Sequence, residues 1–208
     1  MLKLKTITLA LFVPAALSGC ASIFAPLQDL LPDLAPETEA RLFSGAVVLP
    51  APDGFCLDPE ISRARAGFAL FAPCANIVEG GDAPSANAII TVQAGQADTA
   101  VVRGSEDTLA AFLETPDGAA MLGDAVSVTS TASADNEVRV AFDETGGATM
   151  SGTTARVRRA FFDIDDRVVT VSVRSLTSAP LTNRAGRFLL KDVVAAAKRA
   201  NDQADSAE

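Results

Sequence analysis

The side chains of this sequence that could carry chemistry are its carboxylates, its arginines and its three cysteines. The 208 residues include no His, Trp or Tyr, so the commonest general base and the commonest metal ligand are both missing. A Ser or Cys nucleophile would then need a Lys for activation, and no Ser-x-x-Lys spacing occurs. We therefore predict no catalytic residues, no cofactor and no enzymatic activity.

Two groups of acids could act as paired carboxylates: Asp143 with Glu144, and the cluster of Asp163, Asp165 and Asp166. Both groups lie beside predicted turns, where acids are usually solvated. A calcium loop that begins at the cluster would need Gly in its sixth position and Glu in its twelfth, where this sequence has Val and Arg. The sequence thus favours a solvated hairpin turn, predicts no metal site, and leaves a carboxylate-only enzyme as a minor alternative.

Three arginines lie close together at positions 156, 158 and 159. Because side chains alternate along a strand, Arg156 and Arg158 should share one face of a predicted strand. They are candidate residues for an anion site. The alternative is that they pair with the domain's own surplus acids on its surface.

The first cysteine follows a segment typical of a secretory signal, with two lysines before a short apolar run at 7–17. The run ends in Leu17-Ser18-Gly19-Cys20, which resembles the lipobox of bacterial lipoproteins. That resemblance implies removal of residues 1–19 as a signal peptide and acylation of Cys20, by diacylglyceryl on its sulfur and by a chain such as palmitate on its amino group. Ala21 implies the outer membrane, on its periplasmic face, rather than the inner membrane. The alternatives are an unmodified thiol or an uncleaved signal that stays as an anchor.

The charge of the chain limits its partners. The full sequence has a formal net charge of −9, and removal of residues 1–19 would take away Lys3 and Lys5 and no acid. Such a surface repels phosphate backbones and anionic lipid heads, so nucleic acid is not an expected partner. Lipid on Cys20, rather than charge, must hold the protein at a membrane.

The other two cysteines, Cys56 and Cys74, form a natural pair in an oxidising compartment. We predict a disulfide between them, the alternative being two buried free thiols. A zinc site is disfavoured because two cysteines without any histidine supply too few of its usual ligands.

The chain divides into a signal (1–19), a lipidated Pro-rich tether (20–43), one domain (44–200) and a polar tail (201–208). The tether prediction depends on three prolines that prevent a continuous helix, with docking of its leucines on the domain or on a partner as the alternative. Apolar patterns predict strands at 45–50, 55–57, 67–72, 88–93, 126–131, 138–142, 155–163 and 167–175. Helices are predicted from Ser105, from Pro116 and near 184–200, with a brief one at 58–66.

This order predicts an α+β fold, mainly an antiparallel sheet with packed helices in an α-β-α sandwich, closed by an amphipathic C-terminal helix. Gly54-Phe55-Cys56-Leu57, the hairpin at 160–171 (Ala-Phe-Phe-Asp-Ile-Asp-Asp-Arg-Val-Val-Thr-Val) and the closing helix together resemble PsbP-type domains. That resemblance implies binding or scaffolding more than catalysis.

Three functional hypotheses follow. The first is a lipid-anchored envelope protein whose non-enzymatic domain binds or supports an envelope protein. The second is a periplasmic carrier of a small molecule or ion, with a pocket between sheet and helices. The third is the carboxylate-only enzyme.

Overall fold

The computed structural model of the protein describes residues 36–205. The strands in that range are β1 (Glu39–Leu42), β2 (Val47–Pro50), β3 (Phe55–Leu57), β4 (Phe68–Pro73), β5 (Ala88–Ala94), β6 (Val126–Ala134), β7 (Glu137–Glu144), β8 (Thr153–Ile164) and β9 (Arg167–Leu176). The α-helices are α1 (Glu106–Leu113), α2 (Pro116–Leu122) and α3 (Asn183–Asp205). The predicted signal, the lipidation site at Cys20 and most of the predicted tether lie outside the described residues.

Seven strands form one antiparallel sheet in the order β3-β4-β5-β9-β8-β7-β6, while β1 and β2 pair with each other. The β8–β9 hairpin follows the alternation read from the sequence, with Val169, Val171 and Val173 all fully buried. Its turn is Asp165-Asp166, between the paired residues Ile164 and Arg167. Asp165 has φ of 50°, a left-handed conformation that Asp tolerates better than most residues.

The sheet has a separate apolar core on each face. On one face, α3 and the β1–β2 hairpin pack over Phe71, Ile90 and Phe162. On the other face, α1 and α2 pack over Val138 and Phe142. The predicted α+β class is therefore confirmed, with its antiparallel sheet between helices and its C-terminal helix packed by an apolar face.

The folded domain begins earlier than predicted. The tether was expected to reach residue 43, but Glu39–Leu42 form strand β1, paired with β2 through Leu42 and Val47. Ala40 and Leu42 are buried in the core, at 1% and 0% exposure, whereas Arg41 between them is exposed. This short period-2 pattern buries enough apolar surface to hold the segment in the domain.

The last helix continues beyond the predicted end of the domain at residue 200. Asn201 is 7% exposed, and its side chain pairs with both backbone groups of Val48 on β2, at 2.9 Å and 2.8 Å. The polar side chain of Asn201 thus links α3 to the β1–β2 hairpin by hydrogen bonds. The helix extends to Asp205, whereas a polar tail was predicted from residue 201. None of the helices within residues 36–205 combines the length and apolarity needed to cross a membrane.

The brief helix predicted at 58–66 forms only in part. Asp58 does act as a cap, since its carboxylate accepts hydrogen bonds from the backbone of Glu60 and Ile61, but a turn follows it, and the segment becomes helical only as a 3-10 turn at Ala64–Ala66. Arg63 instead forms a bridge with Phe68 of β4. That pairing with the start of β4 replaces a continuous helix over this segment.

The predicted disulfide between Cys56 and Cys74 is present, with Cα atoms 4.8 Å apart. It links β3 to the residue that follows β4, next to the paired residues Phe55 and Pro73. Both cysteines are buried, at 0% and 6% exposure.

Replacing both cysteines with alanine is expected to lower the free energy of unfolding by about 3 kcal/mol, because an 18-residue loop is no longer closed in the unfolded chain. Urea unfolding of the wild type with and without a reductant measures this directly. Reductant should shift the wild type towards the double variant and leave the variant unchanged. A wild type that is indifferent to reductant would show that the bond does not form.

Candidate anion-binding groove

A groove opens on the α3 side of the sheet, where the helix leaves β6 and β7 uncovered. The hydroxyls of Thr131 and Ser133 on β6 bond to Glu114, which caps the end of α1, and to Asp107 of α1, so these side chains point away from α3. Alternation then places Ser130 and Ala132 on the α3 side. Because α3 packs on β8 and β9, the surface beside it stays open.

The groove has a volume of about 490 Å³. It is lined by residues of β6, β7, β8 and the first half of α3: Ser130, Thr131, Ala132, Arg139, Val140, Ala141, Arg158, Arg184, Arg187, Phe188, Leu190 and Lys191. Five of these carry a positive charge and none carries a negative one, in a chain whose net charge is −9. This concentration of cations is a local reversal of the charge of the whole protein.

Arg158 lies at the base of the groove and is only 4% exposed. Its Nη2 donates a hydrogen bond to Asn183 Oδ1 at 2.7 Å, and no carboxylate of the described residues lies within 4 Å of it. Burial, and then the positive charges of Arg156 and Arg187, lower the pKa of Arg158. Even so, a guanidinium remains charged at any ordinary pH.

The backbone of α3 is shaped around this guanidinium. A Cβ added to Gly186 would come within 2.7 Å of Arg158 Nη1 and 2.8 Å of its Cζ. Glycine is unfavourable inside a helix, but here it allows the helix to approach Arg158 closely. The charged group is therefore held by packing and by Asn183, and the Asp143 carboxylate, which is bonded to Arg156, acts on it only at a distance.

Arg156 shares a strand face with Arg158, as predicted, and its Nη1 also reaches Asn183 Oδ1, at 3.4 Å. Its main partner, however, is Asp143 on the neighbouring strand β7, with Arg156 Nη2 at 2.6 Å from Asp143 Oδ2. The hydrogen bond to Arg156 lowers the pKa of Asp143, and the same bond raises the pKa of Arg156. Of the two predicted anion-site candidates, Arg156 thus meets one of the domain's own acids and Arg158 does not.

The groove also has an apolar wall. Phe188 of α3 is 49% exposed and lines the groove. The guanidinium of Arg184 lies 5.3 Å from the centre of its ring, a cation–π contact. A ligand here would meet both cations and apolar surface.

The cations on α3 were missed from the sequence, although a signal was present. Arg184, Arg187 and Lys191 follow a spacing of three and four residues, which places them on one helix face. Their convergence with Arg139 and Arg158 depends on strand pairing, which the sequence does not show.

The acids considered for catalysis are engaged in structural bonds. The Asp163 carboxylate accepts three backbone N–H groups, from Val101, Val102 and Arg103, at 3.1, 2.8 and 2.8 Å. Asp166 accepts from the backbone of Asp98 at 3.3 Å. Within residues 36–205 no group of three metal-ligating side chains comes together.

Glu144 lies on the other face of the sheet, where it forms a two-pronged ion pair with Arg174 at 2.7 and 2.8 Å. This hydrogen bonding, helped by Thr149 and opposed by burial, lowers the pKa of Glu144 to about 2. The pair is remote from the groove, so its role is structural.

No protein-family model matches the chain, and no curated protein sequence matches it. Among solved structures, the chain is similar to the Ran-binding protein Mog1p of Saccharomyces cerevisiae, with 14% identity over 77% of this chain and 92% of that one, at a TM-score of 0.47. It is likewise similar to a point mutant of protein Mog1, with 14% identity over 79% of this chain and 94% of that one, at a TM-score of 0.46. Neither similarity bears on what this chain binds, and the PsbP-type relation stays a prediction.

Proposed function

We propose that this chain is a lipid-anchored, non-enzymatic binding protein of the bacterial envelope, whose domain holds an acidic envelope protein in the basic groove. The observation that carries the proposal is Arg158, a buried guanidinium without a carboxylate partner among the described residues. Burial of a charge costs several kcal/mol unless an opposite charge offsets it. A carboxylate from a partner would supply that opposite charge.

The surroundings of Arg158 favour a partner over an internal ion pair. Arg184, Arg187 and Lys191 are exposed on α3 and add positive charge at the mouth of the groove. Together with the half-exposed ring of Phe188 they form the mixed charged and aromatic surface that is common at protein interfaces.

The anchor is the second part of the proposal. The lipobox implies lipid on Cys20, and two or more acyl chains give a stable membrane attachment. The domain would then face the periplasm from the outer membrane, an oxidising compartment that suits the Cys56–Cys74 bond.

Replacement of Cys20 by serine is expected to move the protein from the membrane fraction to the soluble periplasmic fraction and to abolish labelling by palmitate. Cell fractionation with a radiolabelled fatty acid measures both effects. Cys20 would not be the anchor if the variant remained labelled and bound to the membrane.

A periplasmic carrier of a small anion is the second candidate. The groove volume of about 490 Å³ favours it, since sites for small ligands usually enclose about 300–1,000 Å³. Such a ligand would raise the unfolding temperature by mass action.

Crosslinking in intact cells tests the leading proposal, with Arg187→Glu/Lys191→Glu as the groove variant. Arg65→Glu/Arg199→Glu is the matched control, because it makes the same charge change at exposed positions outside the groove. We expect the groove variant to recover at least tenfold less of a specific crosslinked protein than the wild type, and the control variant to recover the wild-type amount. Equal recovery from both variants would overturn the proposal. Absence of a specific protein from the wild type, with stabilisation by small anions, would favour the carrier.

A further inference from the structure

Within residues 36–205, strand β6 has a neighbour on one side only and forms an open edge of the seven-stranded sheet. It has nine residues, Val126–Ala134, made only of Val, Ser, Thr and Ala. Natural edge strands of this length are usually protected by charged residues, by proline or by a bulge. Here the one irregularity in the pairing lies between Val128 and Ser130, and residues 130–134 pair regularly with β7.

The opposite edge of the sheet, strand β3, is short and covered. Strand β3 has only three residues, all buried, and Leu57 donates its backbone N–H to the carbonyl of Glu37 at 2.7 Å. That edge is thus short and covered by the chain itself. On β6, by contrast, no strand of the described part of the chain pairs with the backbone groups on the side away from β7, so these groups are available to another strand.

The two faces of β6 border groups of opposite charge, although the strand itself has no charged residue. On the α3 side, Ser130 and Ala132 border the basic groove, and Ala132 is paired with Arg139 on β7. On the α1 side, Thr131 and Ser133 contact the acids Glu114 and Asp107. An added strand would lie about 4.8 Å from β6 and point its side chains alternately to these two faces.

We infer that β6 accepts an extended segment of the partner protein as an eighth strand, in which acidic side chains alternate with basic ones. Its acidic side chains face the groove cations on α3 and β7, and its basic side chains face Asp107 of α1 and Glu114 at the end of that helix. Main-chain hydrogen bonds to β6 give affinity, and the opposite charges of the two faces fix the register. This inference rests on the proposed function and specifies how the partner binds.

A second copy of this chain is a poorer occupant of the edge. Antiparallel pairing of two β6 strands about a two-fold axis perpendicular to the sheet would put both basic grooves on the same side. Like charges opposed across an interface are unfavourable.

The test uses the full mature lipoprotein in detergent and two peptides of nine residues with identical composition. In the first, Glu occupies only odd positions and Lys only even positions, with Thr and Val at the remaining positions, so that all Glu side chains share one strand face and all Lys side chains share the other. In the second, the order is changed so that each face carries both charges. We expect the first peptide to bind at least tenfold more tightly by fluorescence anisotropy, and hydrogen exchange to show protection of every second amide of residues 130–134. Equal affinities, or protection confined to α3, would overturn strand addition.

Proline in the edge strand separates this inference from the proposed function. Thr131→Pro and Ala132→Pro remove adjacent amides, of which one faces β7 and the other faces the open side. The variant whose missing amide faced the open side should keep the wild-type unfolding temperature, because it loses no hydrogen bond to β7. We expect this open-side variant to bind neither the first peptide nor the crosslinked partner. If it keeps the partner while Arg187→Glu/Lys191→Glu loses it, strand addition is wrong and the groove proposal stands. A wild-type dimer in sedimentation that the same proline disrupts would instead assign the edge to a second copy and overturn the inference.

Discussion

Replacement of Glu144 by alanine is expected to lower the free energy of unfolding by about 3–5 kcal/mol, the usual cost when one partner of a buried ion pair is removed. Glu144 and Arg174 are each 8% exposed, and their two hydrogen bonds are 2.7 and 2.8 Å long. Without the carboxylate, Arg174 would be left as a buried charge. Thr149 would lose two further bonds, from its backbone N–H and its hydroxyl.

The adjacent residue offers a matched control. Asp143 pairs with Arg156 on the neighbouring strand β8, but its side chain is 36% exposed. Exposed pairs of this kind contribute about 1 kcal/mol or less. Urea unfolding of Asp143→Ala and Glu144→Ala should therefore give clearly different midpoints, and equal midpoints would contradict a structural role for the buried pair.

Acid provides a second measurement of the Glu144 pair. The pKa of Glu144 is lowered from 4.5 to about 2 in the folded protein, chiefly by its hydrogen bonds with Arg174. A group with a lowered pKa stabilises the fold fully above its ordinary pKa, and this stability is lost as the pH falls towards the folded value. The wild type should thus lose stability between about pH 4.5 and 2, and Glu144→Gln should lose less over the same interval because position 144 no longer titrates.

The parts of the fold that sequence reasoning found are those set by local patterns. The β8–β9 hairpin was predictable because two apolar-rich strand patterns flank Asp165-Asp166, and in the second of them valines alternate with polar residues. Helix α2 was predictable because Thr115 and Pro116 form a start signal, and Thr115 Oγ1 indeed accepts a hydrogen bond from the Gly118 backbone. Each signal lies within a few residues of the structure it specifies.

The features that were missed depend on contacts between distant segments. Strand β1 is held by burial against a core built from later strands, and Asn201 bonds to Val48 across 153 positions. For the same reason, the sequence predicted one cation of the groove, Arg158, but not the cations of α3 and β7 that lie beside it. The shared face of Arg156 and Arg158 follows from strand alternation, but which arginine meets an acid is decided by pairing with Asp143 on another strand.

Asp163 was a candidate catalytic carboxylate in the sequence, but in the structure its carboxylate holds a loop by three backbone hydrogen bonds. Replacement by alanine is expected to lower the free energy of unfolding by about 3 kcal/mol, because hydrogen bonds to a charged group contribute about 1.5–3 kcal/mol each and part of the loss is recovered by water. Its carboxylate is 5% exposed and holds the backbone of residues 101–103, including Val102, which is fully buried in the core of the α1 face.

The expected series is graded. Asp163→Asn keeps one acceptor oxygen and should lose less stability than Asp163→Ala. Asp166→Ala is the control in the same turn, because the Asp166 side chain is half exposed and its one side-chain hydrogen bond, to the Asp98 backbone, is 3.3 Å long. Its effect should be about 0.5 kcal/mol or less. Thermal unfolding of the three variants measures the series, and a wild-type melting temperature for Asp163→Ala would disprove the structural role.

This result decides how the carboxylate-only enzyme must be tested. An Asp163 variant that loses stability would also lose any activity through unfolding, so a loss of activity in that variant says nothing about catalysis. The informative substitutions are at Asp165 and Asp166, which are exposed at the turn. Because Asp163 already accepts three backbone N–H groups, a paired-carboxylate mechanism in this cluster would first have to release loop residues 101–103 from the Asp163 carboxylate. The cost of that release argues that this cluster builds the fold, and it leaves the basic groove as the site where binding should be sought.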